Sequence, residues 1–251
     1  MNTMEPYSAQ LADVYDMVYT SRGKDYQAEA EALTALVHAR RPAATSLLDV
    51  ACGTGEHLRH LHAFDAEGVE LADPMRAKAT AKGLRVHAGD MRNFTLGRTF
   101  DVVACLFSSI GYMRSVSELR AAARSMADHL EPGGLLIVDP WFHPDDWEGG
   151  HLDHTVAIAD GRTVLRLAHS TREGRTSRVT YHYLTGDTDG ITTFVDKHEM
   201  TLFTREEYTE AITRAGCAGI EYVKGWEAGR DRVVAVKTAP ADKRSWSEPG
   251  R

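Results

Sequence analysis

Five short apolar runs recur through the first 140 residues: Ser46 to Ala51, Gly68 to Leu71, Leu84 to Ala88, Asp101 to Leu106 and Leu135 to Asp139. Each has the length and composition of a buried strand. Helix-like stretches lie between them. One opens near Gly55 (GEHLRHLHAF); another runs from Glu118 to Leu130 and is stopped by Glu131-Pro132-Gly133-Gly134. Strands alternating with helices predict a parallel sheet covered on both faces. The pattern changes after Pro140. From Asp153 to Phe203 the chain is rich in Thr, Val, Tyr, His and Arg, and between Ser177 and Leu184 the residues Val179, Tyr181 and Tyr183 alternate with Arg178, Thr180 and His182. That period of two predicts strands with one polar face, hence a small antiparallel β insertion. Thr204-Arg205-Glu206-Glu207 has capping-box spacing and opens a helix to about Ala215, with strands expected near Ile220 to Lys224 and Arg232 to Lys237.

The chain therefore divides into an N-terminal helical segment (1–45), a ligand-binding core (46–140), the antiparallel insertion (141–203), a return to the core sheet (204–238) and a polar tail (239–251) expected to be disordered. The formal net charge of -7 over 251 residues gives no general attraction for nucleic acid or anionic membrane, so an anionic ligand needs a local arginine cluster. Cys52, Cys105 and Cys217 are odd in number and widely spaced, which fits reduced thiols and a cytoplasmic setting. The opening residues are polar and acidic, so no secretory signal is expected, and no apolar run reaches the ~20 residues of a membrane span.

Candidate chemistry gathers at the strand ends. In Leu47-Leu48-Asp49-Val50-Ala51-Cys52-Gly53-Thr54-Gly55 a strand meets a Gly-x-Gly turn, where backbone can approach a ligand without a Cβ between them. Position 58 is Leu rather than the third glycine of a dinucleotide fingerprint, which disfavours NAD and suits a nucleoside cofactor without a pyrophosphate, such as S-adenosylmethionine (SAM). Glu70, at the end of the second strand, is placed to accept from ribose hydroxyls; Asp90 and Met91 follow the third, for the adenine amino group and ring; Leu106 ends the fourth. Singly these are ordinary strand-end residues. In this order they point to SAM, with Asp49, Ala51, Gly53, Gly55, Glu70, Asp90, Met91 and Leu106 as its contacts.

The chain resembles class I SAM-dependent methyltransferases, with a Rossmann-like doubly wound α/β sheet. More narrowly it resembles the TDP-amino-sugar N,N-dimethyltransferases of the desosamine and mycaminose type, through YDMVYTSRGKDYQAEA, LLDVACGTGEHLR, GDMRNF, CLFSSIGYM, HLEPGG with DPWFHPDDW, RLAHS with SRVTYHY, and HEMTLFTREEYTEAITRAGC. The resemblance implies methylation of a sugar amine in antibiotic biosynthesis, an N-terminal segment that closes over the cofactor and brings Tyr19 to the reacting centre, and a homodimer. It also implies that Arg230, then Arg178, is a pyrophosphate ligand.

An amine that has lost a proton already carries its lone pair, so orientation can supply much of the rate. Tyr19, Tyr112 and Asp139 are the expected catalytic residues, Asp139 to hold the cationic amine. Arg22 is assigned to the SAM carboxylate or a substrate phosphate. Ser108, Ser109, Trp141, Arg166, His169, Arg178, His182 and Arg230 are assigned to the acceptor, the arginines for bidentate phosphate contact. Position 112 is often histidine in related sequences; tyrosine is a poor base, which favours alignment over base catalysis. No metal site is expected from His57-x-x-His60-x-His62, which lacks a carboxylate or Cys at ligand spacing. A methyltransferase for another small acceptor, and a non-catalytic SAM or nucleotide binder, remain the alternatives at this level.

Overall fold

The computed structural model describes residues 7–227 and 229–239. The expected polar tail therefore lies, Ala239 apart, outside the described residues. Two helices come first, α1 (Ala9–Ser21) and α2 (Tyr26–Arg40). The Ser8 hydroxyl caps α1 by accepting from Leu11 N–H, and the Asp25 carboxylate caps α2 by accepting from Ala28 N–H.

The core then alternates β1 (Ser46–Val50), β2 (Asp65–Glu70), α3 (Asp73–Ala81), β3 (Val86–Ala88), β4 (Phe100–Cys105), α4 (Val116–Asp128) and β5 (Leu130–Val138). Four strands of the second sheet follow, β6 (Leu152–Ala159), β7 (Arg162–Glu173), β8 (Thr176–Asp187) and β9 (Gly190–Thr201). The chain returns through α5 (Arg205–Arg214), β10 (Cys217–Lys224) and β11 (Asp231–Lys237). The large sheet has the order β10-β11-β5-β4-β1-β2-β3, parallel from β5 to β3, with β11 antiparallel to both its neighbours. The small sheet is a four-stranded antiparallel meander, β6-β7-β8-β9. Among the described residues no helix is long and apolar enough to cross a membrane.

Adjacent residues of the central strands serve opposite faces, as the pleat requires. Leu48, Val103, Cys105 and Leu136 pack toward α4 and α5; Leu47, Val102, Ala104 and Ile137 pack toward α2. A third cluster places Leu11, Val14 and Val18 of α1 between Met75 of α3 and Val164 and Tyr183 of the small sheet. Ion pairs fix α1 on both sides. Asp13 accepts from Lys78 of α3 at 2.7 Å and Arg162 of β7 at 2.8 Å, and Asp16 accepts from Thr54 Oγ1 at 2.5 Å and Lys82 at 2.7 Å.

The helix expected after Gly55 does not form. Only a 3₁₀ turn at Leu58–His60 spans the connection, because Leu58, Leu61 and Phe64 all turn into the α2-side core, and spacings of three without a fourth suit 3₁₀ geometry.

Candidate active site

The carboxyl ends of β1, β2, β4 and β5 meet at one edge of the large sheet. After β1 the chain turns through Ala51 (φ 60°) and Gly53 (φ 59°), both left-handed. Glu70, ending β2, holds that turn: Oε2 accepts from Gly53 N–H at 2.8 Å and Oε1 from Ala72 N–H at 2.7 Å. Nothing lies within 4 Å of where a Gly53 Cβ would stand, so its backbone opens onto a cavity of about 1070 Å³. Asp49, Ala51, Gly53, Glu70, Asp90, Met91, Leu106, Ser109 and Tyr112 all line this cavity.

Gly55 does not line it. A Cβ there would collide with Leu84 and stand 3.2 Å from Ala79, so this glycine lets α3 and β3 pack behind the turn instead of touching a ligand.

Asp49 is 2% exposed and its Oδ1 has no partner. Burial, with the charges of Glu70 and Asp139, pushes its carboxyl up to about 8. The Tyr26 hydroxyl, also lining the cavity, is buried without a partner. Buried polar atoms left unpaired are costly, and a ligand that completes them recovers that cost. A cationic ligand with an amino-acid tail would supply what Asp49 and Tyr26 lack.

Several of the residues expected on the acceptor side lie along α1 and the loop after β4. The Tyr19 ring meets Phe107 edge-on at 5.1 Å and Tyr15 at 4.6 Å. Burial raises its hydroxyl pKa, opposed first by Arg166, whose guanidinium lies 5.7 Å from the Tyr19 ring centre. Arg166 is 2% exposed and its guanidinium lies 5.0 Å from the Tyr181 ring centre. Arg22 donates to Asp153 at 2.5 Å and Thr155 at 2.8 Å. Arg230 lies over Trp141 at 4.3 Å, donates to Ser108 Oγ at 3.0 Å and pairs with Glu227; burial lowers its pKa. Ser108 is fully engaged, donating in turn to Pro140 O at 2.7 Å, so it positions Arg230. Trp141 keeps a buried, unpartnered indole N–H.

Three acceptor assignments and one catalytic assignment fail. Arg178, His169 and His182 point out of the opposite face of the small sheet, since β7 and β8 turn Ala168, Val179, Tyr181 and Tyr183 inward. Arg178 pairs there with Glu173 and Glu199. The alternation between Ser177 and Leu184 had already set arginine and histidine on the other face from the tyrosines. Asp139 is not free to hold an amine: Arg232 donates to its two oxygens at 2.6 and 2.8 Å, and Phe107 N–H to Oδ2 at 3.1 Å. It braces the loop in which Phe107 (φ 53°) and Ser108 (φ 65°) are both left-handed, a conformation costly for residues with a Cβ.

Several site residues were not foreseen. Arg232 is a charge at a buried position of an apolar strand, which is itself a signal of a buried partner. Lys24, nearly buried, stands 3.9 Å above the Phe107 ring and is held by Glu29, which also bonds His57. Tyr7, His198 and Asp196 form a bonded group with Tyr112; Asp196 and His198, two apart on a strand, share its inner face.

Residues 47–134 match the family described as a methyltransferase domain. The dTDP-3-amino-3,4,6-trideoxy-alpha-D-glucopyranose N,N-dimethyltransferase of Streptomyces venezuelae is 46% identical over 92% of this chain and 99% of that protein. The dTDP-4-amino-2,3,4,6-tetradeoxy-D-glucose N,N-dimethyltransferase of Saccharopolyspora spinosa is 43% identical over 94% of this chain and 96% of its own. The SAM-bound structure of CalS10, an amino pentose methyltransferase from Micromonospora echinaspora involved in calicheamicin biosynthesis, superposes with a TM-score of 0.81 at 44% identity, covering 90% of this chain and 97% of that one.

Proposed function

This chain belongs to the TDP-amino-sugar N,N-dimethyltransferases, a family of SAM-dependent methyltransferases, and we propose that it methylates the amine of a TDP-linked deoxyamino sugar, twice, in antibiotic sugar biosynthesis. The observation that carries the assignment of parts is Phe107, which lines both the glycine-lined cavity and the adjoining cleft lined by Arg230 and Lys24.

Bound SAM supplies an electrophilic methyl group on a sulfonium. Gly53 and Ala51 leave room for its nucleoside, Glu70 presents carboxylate oxygens to it, Asp90 and Met91 wall the cavity with both Asp90 oxygens held by Arg92, and Asp49 sets a carboxylate against its positive charge. Arg230, fixed by Ser108 and stacked on Trp141, takes the sugar-nucleotide pyrophosphate, with Lys24 beside it. Arg166 and Arg22 extend this cationic wall. Tyr19 and Phe107 bound the point where the amine must lie, and their packing fixes its line of approach. Relatives acting on 3-amino and 4-amino sugars match this chain almost equally well, so the amine position is to be read from product analysis.

We assign a homodimer to the outer face of the small sheet, where Val156, Leu165 and Leu184 stand in register beside exposed Ile158 and Ile191. Incubating the enzyme with SAM and a panel of TDP-amino sugars tests the function by mass. A gain of one or two methyl groups on at least one member is expected; no gain on any removes the sugar assignment.

A further inference from the structure

Behind the cavity wall runs a chain of four side chains that alignment of the substrate does not require. Tyr7 Oη lies 2.7 Å from Tyr112 Oη, which lies 2.5 Å from His198 Nδ1; His198 Nε2 lies 2.6 Å from Asp196 Oδ2. Tyr7 and Tyr112 line the cavity, whereas Asp196 is 2% exposed. The three elements involved are distant in sequence: the lead-in to α1, the loop after β4, and β9.

The direction of every hydrogen bond follows from Asp196. A carboxylate only accepts, so His198 Nε2–H donates to it and the neutral ring leaves Nδ1 as an acceptor. The Tyr112 hydroxyl must then donate to Nδ1, and its oxygen accepts from Tyr7. An N–H presented from the cavity finds lone pairs on Tyr112 and Tyr7, and a route inward ending on an imidazole backed by a carboxylate. This is the base–orienter arrangement that activates weak acids elsewhere, with a phenol at the substrate end.

We propose that Tyr112, His198 and Asp196 form a proton relay that takes a proton from the substrate ammonium, so that the enzyme accepts the protonated sugar amine. The inference rests on the amino-sugar methyltransferase reading. An ammonium N–H breaks and its proton bonds to Tyr112 Oη; the phenolic proton passes to His198 Nδ1; the imidazolium is held by Asp196. The amine keeps the electron pair and is the nucleophile. The proton returns to solvent once product leaves, and each methylation consumes one such cycle. Tyr112 touches substrate and is the catalytic residue; His198 and Asp196 are positioning residues acting through it.

The ionisable groups bearing on the relay are phenols from α1 and β8 (Tyr15, Tyr19, Tyr181), with Glu70 bearing on Tyr7. Lys197 and Glu199 also line the cavity. Tyr112 itself is pushed well up by burial, so it passes a proton on without resting as phenolate.

The experiment is the pH profile of kcat/KM for the wild type, His198→Asn, Asp196→Asn and Tyr112→Phe, with a TDP-amino sugar and SAM. Without the relay only the free amine reacts, so variant activity should fall about tenfold for each pH unit below the amine's own pKa. Two units below it, the variants should lie about 100-fold under the wild type, and the gap should close as pH rises past that pKa. SAM affinity by titration calorimetry should be unchanged, which shows that the variants fold. A wild-type-to-variant ratio constant across pH, or variants within a few-fold of wild type at every pH, would overturn the relay while leaving the function intact. A wild type that methylates no amino sugar removes the functional reading and the relay together.

Discussion

Asp49 shows how one buried carboxyl ties binding to acidity. Its folded pKa of about 8 stands above the unfolded value near ~4. The folded state therefore holds the extra proton between those values, and the ligand-free protein should lose stability as pH rises from about 4 through 8. Asp49→Asn should abolish that slope, each kcal/mol regained raising Tm by about 2–4 °C in a scan at pH 8. A cation seated beside Asp49 favours the ionised form. SAM binding at pH 7 should therefore release a proton, seen as a calorimetric heat that varies with the ionisation enthalpy of the buffer, and Asp49→Asn should lose the release. Arg232 makes a second case. Replacing it with Met strands Asp139 in the interior, and should cost about 3–5 kcal/mol in a denaturant titration. That Asp49 and Glu70 would stand at one cavity was legible because Asp49 lies one residue inside the end of β1 and Glu70 ends β2, both apolar strands. Asp139 was misread because Arg232, 93 positions away, is brought against it only by an antiparallel strand pair.

At the scale of elements, period-two alternation was legible in the insertion, and capping-box spacing in α5. The Thr204 hydroxyl accepts from Glu207 N–H at 3.2 Å while the Glu207 carboxylate accepts from Thr204 N–H at 2.9 Å. Thr204→Ala should cost about 1 kcal/mol, read as a lower Tm. The stretch after Gly55 was misread as a helix because its apolar residues all answer to one tertiary surface, a demand that local pattern does not carry. The histidines and Arg178 were assigned by chemistry against their own pattern. Their strand face was written in the alternation with Tyr181 and Tyr183, and periodicity proved the better guide.

For the whole molecule, the outer face of the small sheet is the feature that local packing leaves unexplained. Leu152, Val156, Ile158, Leu165, Leu167, Leu184 and Ile191 are exposed there, an apolar expanse suited to an isologous contact. Leu165→Glu with Leu184→Glu should convert a dimer to monomer in light scattering behind size exclusion. A wild-type chain that is already monomeric at working concentrations would reject the contact. The seating of α1 reaches further. One helix is pinned by Asp13 to α3, whose first turn lines the cavity, and to β7, which carries Arg166, so on the proposed reading both ligands bear on the same rod. Their affinities must then be linked by a single factor acting equally in both directions: whatever S-adenosylhomocysteine does to the grip on a sugar nucleotide, the sugar nucleotide does to the grip on S-adenosylhomocysteine, and cutting the Asp13 ties should bring that factor toward one.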